Sequence, residues 1–133
     1  MATNWPNFLI VGTARAGTTS LHEYLGGHKD IFMPLQKEPC FFSFYGKHPE
    51  YKDSRHRYLT DIPGYQELFA GHDKKMSGES STPYLYFYQQ SIANILALVP
   101  NAAEEMRIII VLRDPAERAY SQYMHNRRDL REP

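Results

Sequence analysis

Phe8-Leu9-Ile10-Val11 is a short unbroken apolar run, and the residues after it leave few choices for the fold. Gly12-Thr13-Ala14-Arg15-Ala16-Gly17 is a turn bounded by glycines, and Thr18-Thr19-Ser20 supplies small hydroxyl residues. Leu21, Tyr24 and Leu25 then recur at helical spacing. These are the marks of a strand, a loop and a helix N-terminus in succession. The first N–H groups of such a helix lack partners within it and carry the positive end of its dipole, so the junction is a ready anion site. Gly12 and Gly17 are spaced as in the nucleotide-binding loop G-x-x-x-x-G-K-[ST]. Thr18, however, stands at the lysine position, and the positive charge has moved into the loop at Arg15. A nucleoside triphosphatase needs that lysine on the β- and γ-phosphates and the next hydroxyl on Mg²⁺. The segment Arg15, Ala16, Gly17, Thr18, Thr19 and Ser20 therefore points to a phosphate-type anion held without that metal arrangement. The loop alone leaves two other readings open, a tight strand-to-helix connection and a P-loop nucleotide kinase or nucleoside triphosphatase.

The helix begun at Thr18 is expected to stop at Gly26-Gly27. Ile31-Phe32-Met33, closed by Pro34, reads as a second strand. Next, Lys37-Glu38 lies directly against the aromatic block Phe41-Phe42-Ser43-Phe44-Tyr45, which would put Glu38 at the edge of a partly dry pocket. Residues 46–61 are polar, basic and His-rich and are expected to form surface loop with some helix. Tyr65, Leu68 and Phe69 predict a short helix stopped by Gly71. Met76 to Pro83 reads as a strand running into a turn, followed by one helix from about Tyr84 to Val99. Arg107-Ile108-Ile109-Ile110-Val111-Leu112 is the clearest strand, β-branched and expected to be buried. Pro115 is well placed at the first position of a helix carrying Ala119, Tyr120 and Tyr123 along one side. Strands alternating with helices predict an α/β fold, a three-layer αβα sandwich with a mostly parallel sheet, like that of P-loop nucleoside triphosphatases. Ligands in such sheets lie beyond the carboxyl ends of the strands, where Arg15 and Arg113 both fall.

Composition narrows the partners. A chain of 133 residues makes one domain, not two. Its 15 basic and 15 acidic residues balance, so no overall basic field argues for nucleic acid or a membrane surface. The single cysteine, Cys40, excludes an internal disulfide and a Cys-based zinc site, and the six histidines lack metal-ligand spacing, so no metal is expected. No signal peptide is visible at the N-terminus and no apolar run is long enough to span a membrane, which leads us to expect a cytoplasmic protein.

Two separated motifs now coincide. Val11-Gly12-Thr13-Ala14-Arg15-Ala16-Gly17-Thr18-Thr19-Ser20-Leu21 resembles the 5′-phosphosulfate loop of sulfotransferases that use 3′-phosphoadenosine 5′-phosphosulfate (PAPS). Ile110-Val111-Leu112-Arg113-Asp114-Pro115-Ala116-Glu117-Arg118-Ala119-Tyr120-Ser121-Gln122-Tyr123 resembles their 3′-phosphate motif. Between them, Lys37-Glu38-Pro39-Cys40-Phe41-Phe42 is similar to the segment with the catalytic glutamate of the heparan sulfate N- and O-sulfotransferase branch and its bacterial relatives. Gly78-Glu79-Ser80-Ser81-Thr82-Pro83-Tyr84-Leu85 is similar to that branch's Glu-Lys-Ser/Thr-Pro-x-Tyr segment. Arg15 stands where the loop often has lysine, which keeps the charge and adds a planar fork for oxyanions. Ser80 stands where the lysine after Glu79 is expected, so one positive charge is missing there; Lys37 is the neighbouring candidate to replace it. Sulfotransferase domains continue well past the 3′-phosphate motif, so the resemblance implies that residues 1–133 are a single domain, incomplete at its C-terminus.

The resemblance implies sulfuryl transfer from PAPS to the hydroxyl or amine of a glycan or small molecule, leaving adenosine 3′,5′-bisphosphate, with no metal required. Arg15 would stabilise charge on the leaving phosphosulfate, and residues Ala16 to Ser20 would hold it. Glu38 would be the general base, and Arg113 and Ser121 would grip the 3′-phosphate. Each has a plainer alternative: an exposed loop arginine, a glutamate paired with Lys37, an ion pair of Arg113 with Asp114 or Glu117, and an ordinary helix serine. Glu79 would either organise the acceptor pocket or close a turn.

Overall fold

The computed structural model describes residues 4–47 and 58–131. The expected loop at 46–61 falls mainly outside the described residues. Four strands, β1 (Phe8–Gly12), β2 (Ile31–Phe32), β3 (Met76–Ser80) and β4 (Arg107–Ile110), form one parallel sheet in the order β2-β3-β1-β4. The helix α1 (Thr18–Gly26) joins β1 to β2. Two short helices, α2 (Phe41–Phe44) and α3 (Ile62–Glu67), precede β3. Three more, α4 (Pro83–Tyr86), α5 (Tyr88–Leu98) and α6 (Ala102–Glu105), lead to β4, and α7 (Pro115–Arg128) follows it. The architecture is the expected α/β sandwich.

Period-two alternation in β1 divides the core between the two faces of the sheet. Phe8 and Ile10 pack with Met33, Leu21 and Leu25 beneath α1. Leu9 and Val11 pack with Phe41, Phe42, Tyr65, Tyr84, Ile95 and Val99 on the opposite face. β1 is buried along its whole length because it is central and covered on both sides. In the register Phe8 faces Gly78, and a Cβ at Gly78 would lie 2.3 Å from the Phe8 ring, so only glycine fits there. The chain leaves β1 toward β3 and β2 and later returns to its other side at β4. This makes the carboxyl end of β1 the topological switch point, where open α/β sheets bind ligands.

Two expectations need correcting. The helix foreseen from Tyr84 to Val99 is two helices, because Phe87 has φ −96° and ψ 45° and ends α4 before α5 starts. The break turns Tyr84 into the core while Tyr86 and Tyr88 face outward. The strand 107–112 was expected to be buried, yet Ile108 and Ile110 are about half exposed, at 49% and 50%. Among the described residues β4 stands at the end of the sheet and pairs with β1 alone, and α7 contributes no buried residue to cover it. A β-branched run reads alike at the centre and the edge of a sheet, so its sequence did not carry this difference.

Candidate active site

At the end of β1 the backbone turns through Arg15, φ 63°, and Gly17, φ 96°, both left-handed. Gly17 is the N-cap of α1 and no side chain caps that helix. The first helical hydrogen bond back to the cap comes from the N–H of Leu21, 3.2 Å from the Gly17 carbonyl. The helix start thus presents uncapped N–H groups and the positive end of its dipole, with the hydroxyl residues Thr19 and Ser20 exposed and Thr18 buried.

Arg15, Arg113 and Ser121 come together here from three elements. Arg15 Nε donates to Ser121 Oγ in α7 at 3.1 Å. Arg113, just past β4, donates from Nη1 to the Arg15 carbonyl at 3.2 Å, and its Nε lies 3.7 Å from Glu117 Oε2. The ion pair with Glu117 and the approach to the loop therefore coexist. Asp114 is occupied elsewhere, capping α7 by accepting from the N–H of Glu117 at 3.0 Å.

The second arm of the site is the segment 37–40. Glu38 and Cys40 are both left-handed, with φ 58° and 54°, a conformation that costs a non-glycine residue roughly 1 kcal/mol or more. The N–H of Glu38 donates to the Ser80 carbonyl at 3.0 Å, which pins the segment to the end of β3. Glu38 Oε2 accepts from the N–H and Oγ1 of Thr82, each at 3.1 Å, and Oε1 is 3.9 Å from Lys37 Nζ. Lys37 Nζ donates to Thr19 Oγ1 at 2.5 Å, so the two arms join at the start of α1. Glu38 is partly buried beside Phe41 and Phe42, which are fully buried, as expected from the aromatic block.

Glu79, for which the sequence left two readings open, sits inside the protein. It is fully buried and accepts from Tyr84 OH at 2.5 Å, Tyr65 OH at 3.0 Å and Ser81 Oγ at 2.8 Å. Ser81 Oγ in turn accepts from the N–H of Cys40 at 3.0 Å, linking Glu79 to the backbone that carries Glu38. Burial pushes the Glu79 carboxyl up to about 7, against the three hydroxyl donors that favour its charge. The same burial raises the Tyr65 and Tyr84 hydroxyls and the Cys40 thiol.

His22 was missed. Its Nε2 is 3.1 Å from the Pro34 carbonyl and must carry the hydrogen, so in the neutral ring Nδ1 accepts from Ser80 Oγ at 3.0 Å. Burial lowers its pKa, with the Lys37 charge acting the same way. The ring ties α1 to the end of β3 and to the loop before Lys37. Among the described residues no group of His, Cys, Asp and Glu could hold a metal ion. No helix among them is long and apolar enough to cross a membrane.

The chain is similar in sequence and fold to known proteins. A solved sulfotransferase from Alicyclobacillus acidocaldarius superposes with a TM-score of 0.79 at 36% identity, over 96% of this chain and 52% of that one. The membrane-associated sulfotransferase kil1 of Dictyostelium discoideum is 32% identical over 89% of this chain and 22% of its own length. The bifunctional heparan sulfate N-deacetylase/N-sulfotransferase 1 of Xenopus laevis is 30% identical over 92% of this chain and 13% of its own. The chain thus spans about half of the solved relative and less than a quarter of these curated ones. The model of the sulfotransferase family matches residues 6–133, from before β1 to past α7, and the chain belongs to that family.

Proposed function

We propose that this chain forms the donor side and the base of a PAPS-dependent sulfotransferase, as part of a single domain. The acceptor would be a hydroxyl or amine of a glycan or a small molecule. The observation that carries the proposal is that Arg15 links the loop before α1 to Arg113 and Ser121. Its backbone lies in the loop before the uncapped start of α1, and its side chain reaches Ser121, beside Arg113. A donor with phosphates at both its 5′ and 3′ ends needs two anion sites at a fixed separation.

In this mechanism the N–H groups and hydroxyls of residues 16–20 hold the 5′-phosphosulfate, and Arg113 and Ser121 hold the 3′-phosphate. Glu38 takes the proton from the acceptor as its oxygen or nitrogen bonds to sulfur. The bond from sulfur to the 5′-phosphate oxygen breaks, and its electron pair leaves on adenosine 3′,5′-bisphosphate. Arg15 stabilises the charge gathering on that oxygen. Thr82 supports Glu38 in this role by fixing Oε2 with two hydrogen bonds.

The test is calorimetric binding of adenosine 3′,5′-bisphosphate, run beside ATP with and without Mg²⁺. The bisphosphate should bind in the absence of metal and better than ATP. Tighter binding of ATP with Mg²⁺ would replace this proposal with the P-loop kinase alternative, against which Thr18 at the lysine position argues.

A further inference from the structure

Lys37 is the side chain in which the two arms of the site meet. Its ammonium donates to Thr19 Oγ1 at 2.5 Å but stays 3.9 Å from Glu38 Oε1, so its short contact is with a neutral hydroxyl and not with the adjacent carboxylate. Thr19 is the second residue of α1, at the positive end of the helix dipole. A cation is the wrong charge for that place, and an anion is the right one. The position becomes favourable when a third, negative group lies between the ammonium and the helix start. The backbone that carries Lys37 is pinned beside this place, because the N–H of Glu38 is bonded to the Ser80 carbonyl and Thr82 holds the Glu38 carboxylate. Arg15, the cation of the loop itself, turns its Nε to Ser121.

We infer that Lys37 is a second catalytic cation, whose ammonium binds the sulfuryl oxygens of the donor between Thr19 and Glu38. The inference rests on the function proposed above and adds the residue that distinguishes donor from product. As the acceptor bonds to sulfur, its proton passes to Glu38, and the bond to the 5′-phosphate oxygen breaks with its electron pair on that oxygen. Lys37 exchanges no proton and neutralises the sulfuryl oxygens throughout. Its place beside Glu38 also sets the entry line of the acceptor, since base and sulfur must face the same hydroxyl or amine.

The experiment compares calorimetric binding of PAPS and of adenosine 3′,5′-bisphosphate to the chain and to Lys37→Met and Lys37→Arg. Lys37→Met should weaken PAPS roughly tenfold, the loss expected when a hydrogen bond to a charged group is removed, and weaken the bisphosphate less than threefold. Lys37→Arg should keep most of the affinity for PAPS. Equal loss of both ligands, or loss of neither, in Lys37→Met would overturn the inference while leaving the proposed function standing. Failure of the unsubstituted chain to bind either ligand would overturn both.

Discussion

The carboxylate arm and the arginine arm of this site are held by opposite means. Behind Glu38 lies a dry interior, in which Glu79, Ser81 and Tyr65 have no exposure and Tyr84 has 2%. Its hydrogen bonds are made where water cannot compete, so each is costly to lose. Arg15, Arg113 and Ser121 are held at the surface instead, by α7, none of whose residues is buried. The Arg113–Glu117 pair, with side chains 42% and 66% exposed, adds about 0–1 kcal/mol at most. One arm is set in a buried interior and the other is held by exposed contacts.

Substitutions should separate the two arms, and the largest effect belongs to the dry one. Glu79→Ala leaves three hydroxyls without their acceptor and should destabilise the chain by about 3 kcal/mol or more, read by chemical denaturation. A loss below about 1 kcal/mol would mean that the interior is not what holds the Glu38 segment. The pH dependence of stability comes next in size. The folded Glu79 carboxyl sits at about 7 against an ordinary 4.5, so the folded state binds the proton more tightly than the unfolded state does. Its contribution is complete below about 4.5 and is lost as pH rises toward 7. Up to about 3 kcal/mol should therefore disappear across that window, and Glu79→Gln should flatten this part of the profile. In the surface arm, Asp114→Ala removes the cap of α7 and should cost about 1 kcal/mol, with faster amide exchange confined to the first turns of that helix. Exchange that also quickened in β1 and β3 would show the arms to be mechanically one.

These differences explain which parts could be read from the chain. The strand, loop and helix from Phe8 to Leu25 were legible because their signals are local: an apolar run, glycines at the turns, and helical spacing. Arg15, Arg113 and Ser121 were legible as a set, since the resemblance supplied both motifs, but the bond from Arg15 to Ser121 spans 106 residues and needed the fold. Glu79 was ambiguous because Tyr65, 14 residues earlier, and Tyr84, five residues later, become its partners only after β3 is buried. The direction of Lys37 was hidden in the same way, set by Thr19 across the segment between them. The exposure of β4 and the break at Phe87 have no local signature, because both segments satisfy the patterns of a buried strand and a continuous helix.

The central proposal is that Arg113 and Ser121 recognise a 3′-phosphate while Arg15 and the start of α1 hold the 5′ end. The direct measurement is calorimetric binding of adenosine 3′,5′-bisphosphate and adenosine 5′-monophosphate to the chain and to Arg113→Ala. The chain should prefer the bisphosphate by at least about tenfold, and Arg113→Ala should abolish the preference while changing folding stability by less than about 0.5 kcal/mol. Equal binding of the two nucleotides by the chain, or a preference that survives Arg113→Ala, would contradict the account.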